Sequence, residues 1–144
     1  MVEATEPDHA DYERLLDLRT GLRQFLRWSE HQAHAVGITP AHHQLLLAIR
    51  GHRGPDAPTI GDVADALLLR HHSAVGLVDR AASVGLVDRR TDPDDHRVVR
   101  LHLTARGAGR LRQLSGAHLE ELRRLAPKMR SLWANLEPAH DAEQ

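Results

Sequence analysis

Apolar residues recur at steps of three and four along the first quarter of the chain: Leu15, Leu18, Leu22, Phe25, Leu26, Ala33 and Val36, with Ser29 in the same series. That spacing predicts one long helix from about Asp11 to Val36, ended by Gly37. The stripe is longer than a single small lobe can bury, so a partner chain is expected along it. Thr39-Pro40 reads as an N-cap followed by proline in the first turn, and Leu45, Leu46 and Ile49 give the next helix a buried side as far as Gly51. Residues 54–58, with Pro55 and Pro58, form a loop. Thr59 and Asp62 make a capping pair for a short helix whose Val63, Ala66 and Leu67 face inward.

After Leu68, Leu69 and Arg70 the chain turns into another helix, about His72 to Val84, with Val75, Val78 and Ala82 at helical spacing and Gly85 as its stop. Its opposite side offers Arg70, His71, His72, Ser73, Gly76, Asp79 and Arg80, small and basic groups of the kind that enter a major groove. Alternation then replaces the helical period. Leu86 to Thr91 and Arg97 to Leu103 read as two strands, with Val99, Leu101 and Leu103 on the inner face and Asp92-Pro93-Asp94-Asp95 as the turn. Arg89, Arg90, Arg97 and Arg100 crowd this thin ribbon, which implies carboxylate or phosphate partners. Ala108, Leu111, Leu114, His118, Leu122 and Leu125 carry a further helix to Pro127, and Met129, Leu132 and Trp133 a last short one to Leu136, with polar tails at both chain ends. The predicted class is mainly α, an α+β winged helix-turn-helix of about six helices with a two- to three-stranded wing.

Composition narrows the chemistry. The 144 residues fit one domain, and with one phenylalanine, one tyrosine and two tryptophans the core must be aliphatic. Absence of cysteine removes disulfides, thiolate metal sites and thiol redox sensing. No run of about 18 apolar residues occurs and the N-terminus is acidic, so a cytoplasmic protein without a membrane partner is expected. The net charge is −1, yet residues 59–112 carry nine Arg/Lys against seven Asp/Glu, while the stretches on either side are net acidic. No nucleophile elbow, phosphate loop or zinc-protease signature appears, so an enzyme is not expected and no cofactor is implied. His31 and His34 share a helix face near His42 and His43, which raises a metal-responsive (zinc) regulator as one alternative. Set against that, the sequence contains no helical H-x-x-x-H pair beside a carboxylate.

Asp95-His96-Arg97, five further residues, and Leu103-Thr104-Ala105-Arg106-Gly107 reproduce D-x-R-x5-L-T-x-x-G. Together with Leu77-Val78-Asp79-Arg80 and Gly85-Leu86-Val87, this resembles the MarR family of bacterial transcriptional regulators over about residues 11–136. The resemblance implies an obligate homodimer joined through about residues 11–36 and 105–136, with residues 40–104 as the DNA-binding lobe. It implies a pseudo-palindromic duplex operator read by the second motif helix, with Arg97 in the flanking minor groove and Asp95 holding it. Arg70, His71, His72, Ser73, Gly76, Arg80, Arg89 and Arg90 complete the expected DNA contacts. It also implies a repressor released by a small aromatic or phenolic ligand, for which Trp28, His31, His34, His42 and His43 are candidate crevice residues. Equally, Trp28 reads as a core or dimer contact and the histidines as solvated. An effector-independent architectural DNA binder, and a dimeric interaction module without DNA binding, remain open at this point.

Overall fold

The computed structural model describes residues 5–134 and 136, so the first four residues and the polar stretch after Leu136 lie outside it. Five helices and two strands follow in the order α1 (His9–Ala35), α2 (Pro40–Arg50), α3 (Ile60–Leu67), α4 (His71–Ser83), β1 (Val87–Thr91), β2 (Val99–Leu103) and α5 (Ala105–Ala134). The chain divides into two compact units, Met1–Ser29 with Ala117–Gln144, and Glu30–Gly116.

The Glu30–Gly116 unit is built on an aliphatic core in which Leu45, Leu46, Val63, Val78, Leu86 and Leu101 are all but sealed from solvent. Local chemistry sets its helix ends. Thr39 accepts from the His42 amide at 3.0 Å, and Pro40 occupies the first turn of α2. Thr59 and Asp62 form the reciprocal capping box of α3, at 3.2 and 2.9 Å. Gly37 and Gly85 take φ of +79° and +76°, the left-handed conformation that stops α1 and α4 without a Cβ clash.

Two inward faces depart from the sequence reading. In α3, Val63 and Ala64 are buried whereas Ala66 is exposed. In α4 the buried set is Ala74, Leu77, Val78 and Ala81, with Val75 and Ala82 only half covered. Val63 and Leu67 of α3 and Val78 of α4 do face the core, and the departures fall where small residues stand on both sides of the helix. The strands pair antiparallel with Val87 opposite Leu103, Arg89 opposite Leu101 and Thr91 opposite Val99. β2 starts at Val99, later than expected, since residues 92–98 curl into a hydrogen-bonded turn. Of its alternating residues Leu101 is buried and Leu103 half-buried, but Val99 is exposed near the tip. Leu101 also donates to the Pro58 carbonyl at 2.8 Å, which ties the loop before α3 to the ribbon.

The helix expected to begin at Pro127 does not exist as a separate element. Pro127 lies inside α5, which continues to Ala134, and this reduces six helices to five. Proline removes one backbone donor and crowds the carbonyl four residues back. Pro127 is exposed, so the freed carbonyl can be solvated and the interruption is survivable.

In the other unit, α1 and α5 meet through Phe25, Trp28 and His118. The Trp28 and His118 rings are 4.8 Å apart, Phe25 stacks on Trp28 at 6.0 Å, and the Ser29 hydroxyl lies 2.6 Å from His118 Nε2. Tyr12, Leu15, Leu16, Leu22, Leu26, Leu119, Leu122 and Trp133 all remain exposed. So many exposed large apolar side chains on two helices mark a candidate interaction surface.

One turn residue is strained. Leu68, between α3 and α4, has φ 56° and ψ 39° with 93% of its surface exposed. A left-handed non-glycine residue costs roughly 1–2 kcal/mol, and this side chain recovers nothing by burial. Leu68→Gly is therefore expected to stabilise the protein by about 0.5–1 kcal/mol, read as a higher urea midpoint at unchanged slope. A lower midpoint would show that Leu68 makes a contact its exposure does not reveal.

Candidate nucleic-acid interface

The exposed side of α4 and the ribbon beyond it carry the cationic groups. His71, His72, Ser73 and Arg80 project from α4 with Arg70 immediately before it, as the helical spacing predicts. Arg70 occupies the N-cap position but makes no side-chain cap, so its guanidinium is not committed to the helix end. Gly76 is half-buried, and a Cβ added there would meet the Arg80 guanidinium at 3.3 Å. The bare backbone at Gly76 thus leaves room for Arg80 to lie along the helix.

The four ribbon arginines, alike in the sequence, have different tasks. Arg89 pairs with Asp79 of α4, so it fastens the ribbon to the helix. Arg100 is about three-quarters covered, bonds Asp92 at 2.9 Å and the Ala57 carbonyl at 3.1 Å, and faces Asp56 at 3.8 Å. It braces the ribbon against the 54–58 loop. Its charge, which faces Arg90 across the register, is thereby compensated. Arg90 approaches Asp88 on its own strand at 3.8 Å and stays exposed.

Arg97 stands at the ribbon tip with 91% of its side chain exposed. Asp95 accepts from its Nε and from a terminal nitrogen, both at 3.1 Å, and also from its backbone amide at 3.0 Å. The bidentate pair fixes the planar guanidinium without covering it. The Arg97 hydrogen bonds hold the Asp95 carboxyl below the usual carboxylate range, and Arg97 is raised in turn. One turn back, Asp92 accepts from the amides of Asp94 and Asp95 at 2.8 and 3.0 Å, which shapes the loop that presents Arg97.

Thr104 and Gly107 seat the start of α5. The Thr104 hydroxyl donates to the Gly85 carbonyl at 2.6 Å and accepts from the Gly107 amide at 3.0 Å. The Thr104 amide bonds the Leu86 carbonyl at 3.1 Å, and Arg106 donates to the Val84 carbonyl at 3.1 Å. The end of α4, the root of the ribbon and the start of α5 are therefore one hydrogen-bonded joint. The sequence reading did not assign Asp79 or Arg106 these anchoring roles, and only the pairing with Arg89 and Val84 reveals them.

The candidate ligand residues fall into different surroundings. Trp28 lines an apolar cavity of about 520 Å³ with Leu22, Phe25, Leu122, Leu125 and Met129. His42 lines a cavity of about 320 Å³ in the other unit, together with His34. His43 is buried, and His31 is exposed on α1. Among the described residues no group of three or more histidine and acidic side chains stands together as a ligand set for a cation. No described helix is long and apolar enough to cross a membrane.

Burial, and secondarily the Arg80 guanidinium, hold the His42 imidazole below its ordinary value. The unfolded chain therefore takes up this proton at a higher pH than the folded one. Stability should be fully present above about pH 6.5 and decline as pH falls below it. His42→Gln should flatten thermal midpoints between about pH 6.5 and 5.5. An identical decline in the variant would assign the loss to another group.

Residues 36–98 match the sequence model of the MarR family. A MarR family protein from Bacillus stearothermophilus superposes with a TM-score of 0.72 at 21% identity, covering 84% of this chain and 82% of its own. AbsC, a MarR family transcriptional regulator from Streptomyces coelicolor, gives 0.70 at 17% identity over 96% and 88%. A point mutant of MepR from Staphylococcus aureus, bound to an oligodeoxyribonucleotide, gives 0.64 at 20% identity over 93% and 94%. At these identities the likeness establishes a common fold. No curated protein matches the chain.

Proposed function

The chain is a MarR-family protein, and from that premise we propose that it is a sequence-specific DNA-binding transcriptional regulator that acts as a homodimer on a pseudo-palindromic duplex operator. The observation that carries this reading is the cationic, exposed side of α4 beside a ribbon whose tip holds Arg97 in a fixed, uncovered bidentate pair with Asp95. A helix with small and basic side chains fits a major groove, and a projecting guanidinium fits the strong negative potential of a narrow minor groove. Arg70, His71, His72, Ser73 and Arg80 supply the helix contacts, with Gly76 permitting close approach and Arg90 reaching phosphate beside the wing. Arg89 contributes by fixing the ribbon to α4. The MepR mutant bound to an oligodeoxyribonucleotide supports the same use of this fold.

Dimerisation follows from the apolar side chains that the α1 and α5 ends leave exposed. Their burial against a second copy would stabilise by roughly 25 cal/mol for each Å² covered. A two-fold dimer would space its recognition helices about one turn of duplex apart, roughly 34 Å. Release by a small aromatic or phenolic ligand, and hence repression, is the finer part of the proposal. The apolar cavity beside Trp28 offers a stacking ring for such a ligand.

Fluorescence titration with the duplex flanking the chain's own gene tests the reading. Specific binding with a steep negative salt slope is expected, because each phosphate neutralised releases counterions. Binding no tighter than to random duplex would overturn the regulator. Loss of binding on adding salicylate would support ligand release, whereas specific binding indifferent to it would favour the architectural alternative.

A further inference from the structure

We propose that the Glu30–Gly116 unit carries a docking groove for an extended, acidic peptide segment of a partner protein, formed by the end of α2, the 54–58 loop, the end of β2 and the start of α5. Two adjoining cavities of about 320 and 340 Å³ share Arg50, Leu103 and Ala108 among their lining residues, so they make one continuous trough. All of its lining residues fall between Ile49 and Ser115, within that single unit.

Charge selects the sign of the occupant. Arg50 and Arg112 stand exposed on the trough, and neither has an ion pair or a side-chain hydrogen bond with any described residue. His52 and His102 add two more basic side chains. Among the described residues that line it Asp56 is the one carboxylate, and it faces Arg100 at 3.8 Å. Cations gathered without counter-charges draw an anionic partner. The floor between them is apolar, with Ile49, Leu101 and Leu111 buried beneath Leu103 and Ala108. A phosphate chain would leave that floor uncovered, whereas carboxylates on a chain with aliphatic side chains suit both parts.

The main chain selects the shape. Leu101 gives its amide to the Pro58 carbonyl, on the side of β2 away from β1, while Thr104 gives its own to Leu86 on the β1 side. Alternate residues of a strand direct their N–H and C=O to the same edge, so those of Leu103 point with those of Leu101. No described group pairs with either main-chain group of Leu103 on that edge. Leu103 lines both cavities. A strand edge left open beside a trough admits an added strand, held by main-chain bonds and sorted by pockets for alternate side chains. The α5 wall from Ala108 to Ser115 runs roughly 10 Å, the span of about three extended residues. In such a segment one face would lie on the apolar floor and the other would reach Arg50 and Arg112, so the chemistry fitted here is acidic residues alternating with aliphatic ones. The groove does not rest on the DNA-binding reading.

Fluorescence polarisation of the full-length protein with a fluorescein-labelled hexapeptide alternating glutamate with valine and leucine, at fixed pH and ionic strength, tests the groove with no operator present. Saturable binding is expected, with the Leu103 amide displaced in nitrogen–proton NMR and slower to exchange in the complex. The double variant Arg50→Glu, Arg112→Glu, at two exposed positions, should weaken binding about tenfold or more at an unchanged melting temperature. A peptide with lysine in place of glutamate should not bind, and duplex of random sequence should leave the acidic peptide in place. Absence of saturable binding, equal binding of the lysine peptide, undiminished affinity in the double variant or an unmoved Leu103 amide would overturn the proposal. Displacement by the duplex would overturn it too, by assigning the groove to phosphate.

Discussion

Gly107→Ala should destabilise the protein by about 3 kcal/mol or more, although alanine is the better helix former by about 1 kcal/mol. The reason is local: a Cβ at Gly107 would stand 2.1 Å from the Leu86 carbonyl oxygen and 3.1 Å from its carbon. That carbonyl is held by the Thr104 amide, and the same joint includes the Thr104 hydroxyl on Gly85 and Arg106 on Val84. Backbone on both sides cannot rotate away as a long side chain would. Relief requires α5 to lift from the root of the ribbon, which exposes Leu86 and Leu111, both in the core. Thermal melting should show a midpoint lower by roughly 10 °C. Gly109→Ala, in the same helix with nothing within 4 Å of the added Cβ, should be neutral or slightly stabilising. Equal losses in the two variants would refute the close-approach argument.

Arg97→Ala should weaken operator binding by about 1–3 kcal/mol, roughly five- to 150-fold, with the dimer and the melting temperature almost unchanged. Stability is indifferent because the Arg97–Asp95 pair is exposed, and exposed pairs contribute little. Binding is sensitive because the pair removes much of the conformational freedom that an arginine otherwise loses when it enters a groove. Asp95→Asn should therefore also weaken binding, even though it removes a negative charge from a surface facing a polyanion. Arg100→Ala should behave in the opposite way to Arg97→Ala. It breaks contacts to Asp92 and Ala57 and should lower stability first. If Arg97→Ala leaves operator affinity intact, the wing does not touch DNA in this protein.

Much of this architecture was legible in the chain itself. Thr39-Pro40, Thr59 with Asp62, Gly37 and Gly85 announced helix ends because capping is settled within three or four residues. The alternation through Leu101 and the Asp-rich turn announced the ribbon for the same reason. The exposed, cationic face of α4 was readable from spacing, and the Asp95-x-Arg97 pair from its motif, whose two charges lie within one turn of chain.

Tertiary structure decided what depends on partners far along the chain. Arg89, Arg97 and Arg100 are the same residue in one short ribbon, and only distant Asp79 and the 54–58 loop separate a fastener, a free tip and a brace. His42 read equally as a crevice residue and as a solvated histidine, and packing placed it, largely buried, beside a cavity lined by basic groups. Val63, Leu67 and Val78 kept the side that their spacing gave them, whereas Ala64, Ala74 and Ala81 took buried places that the sequence assigned to Ala66, Val75 and Ala82, because alanines mark either side of a helix equally well. Pro127 continued a helix that local rules would end, its missing bond falling on an exposed turn. Hydrogen-bond geometry over a few residues is written into sequence by chain connectivity. Burial and charge pairing across tens of residues are not, because they are chosen by which surfaces meet when the core closes.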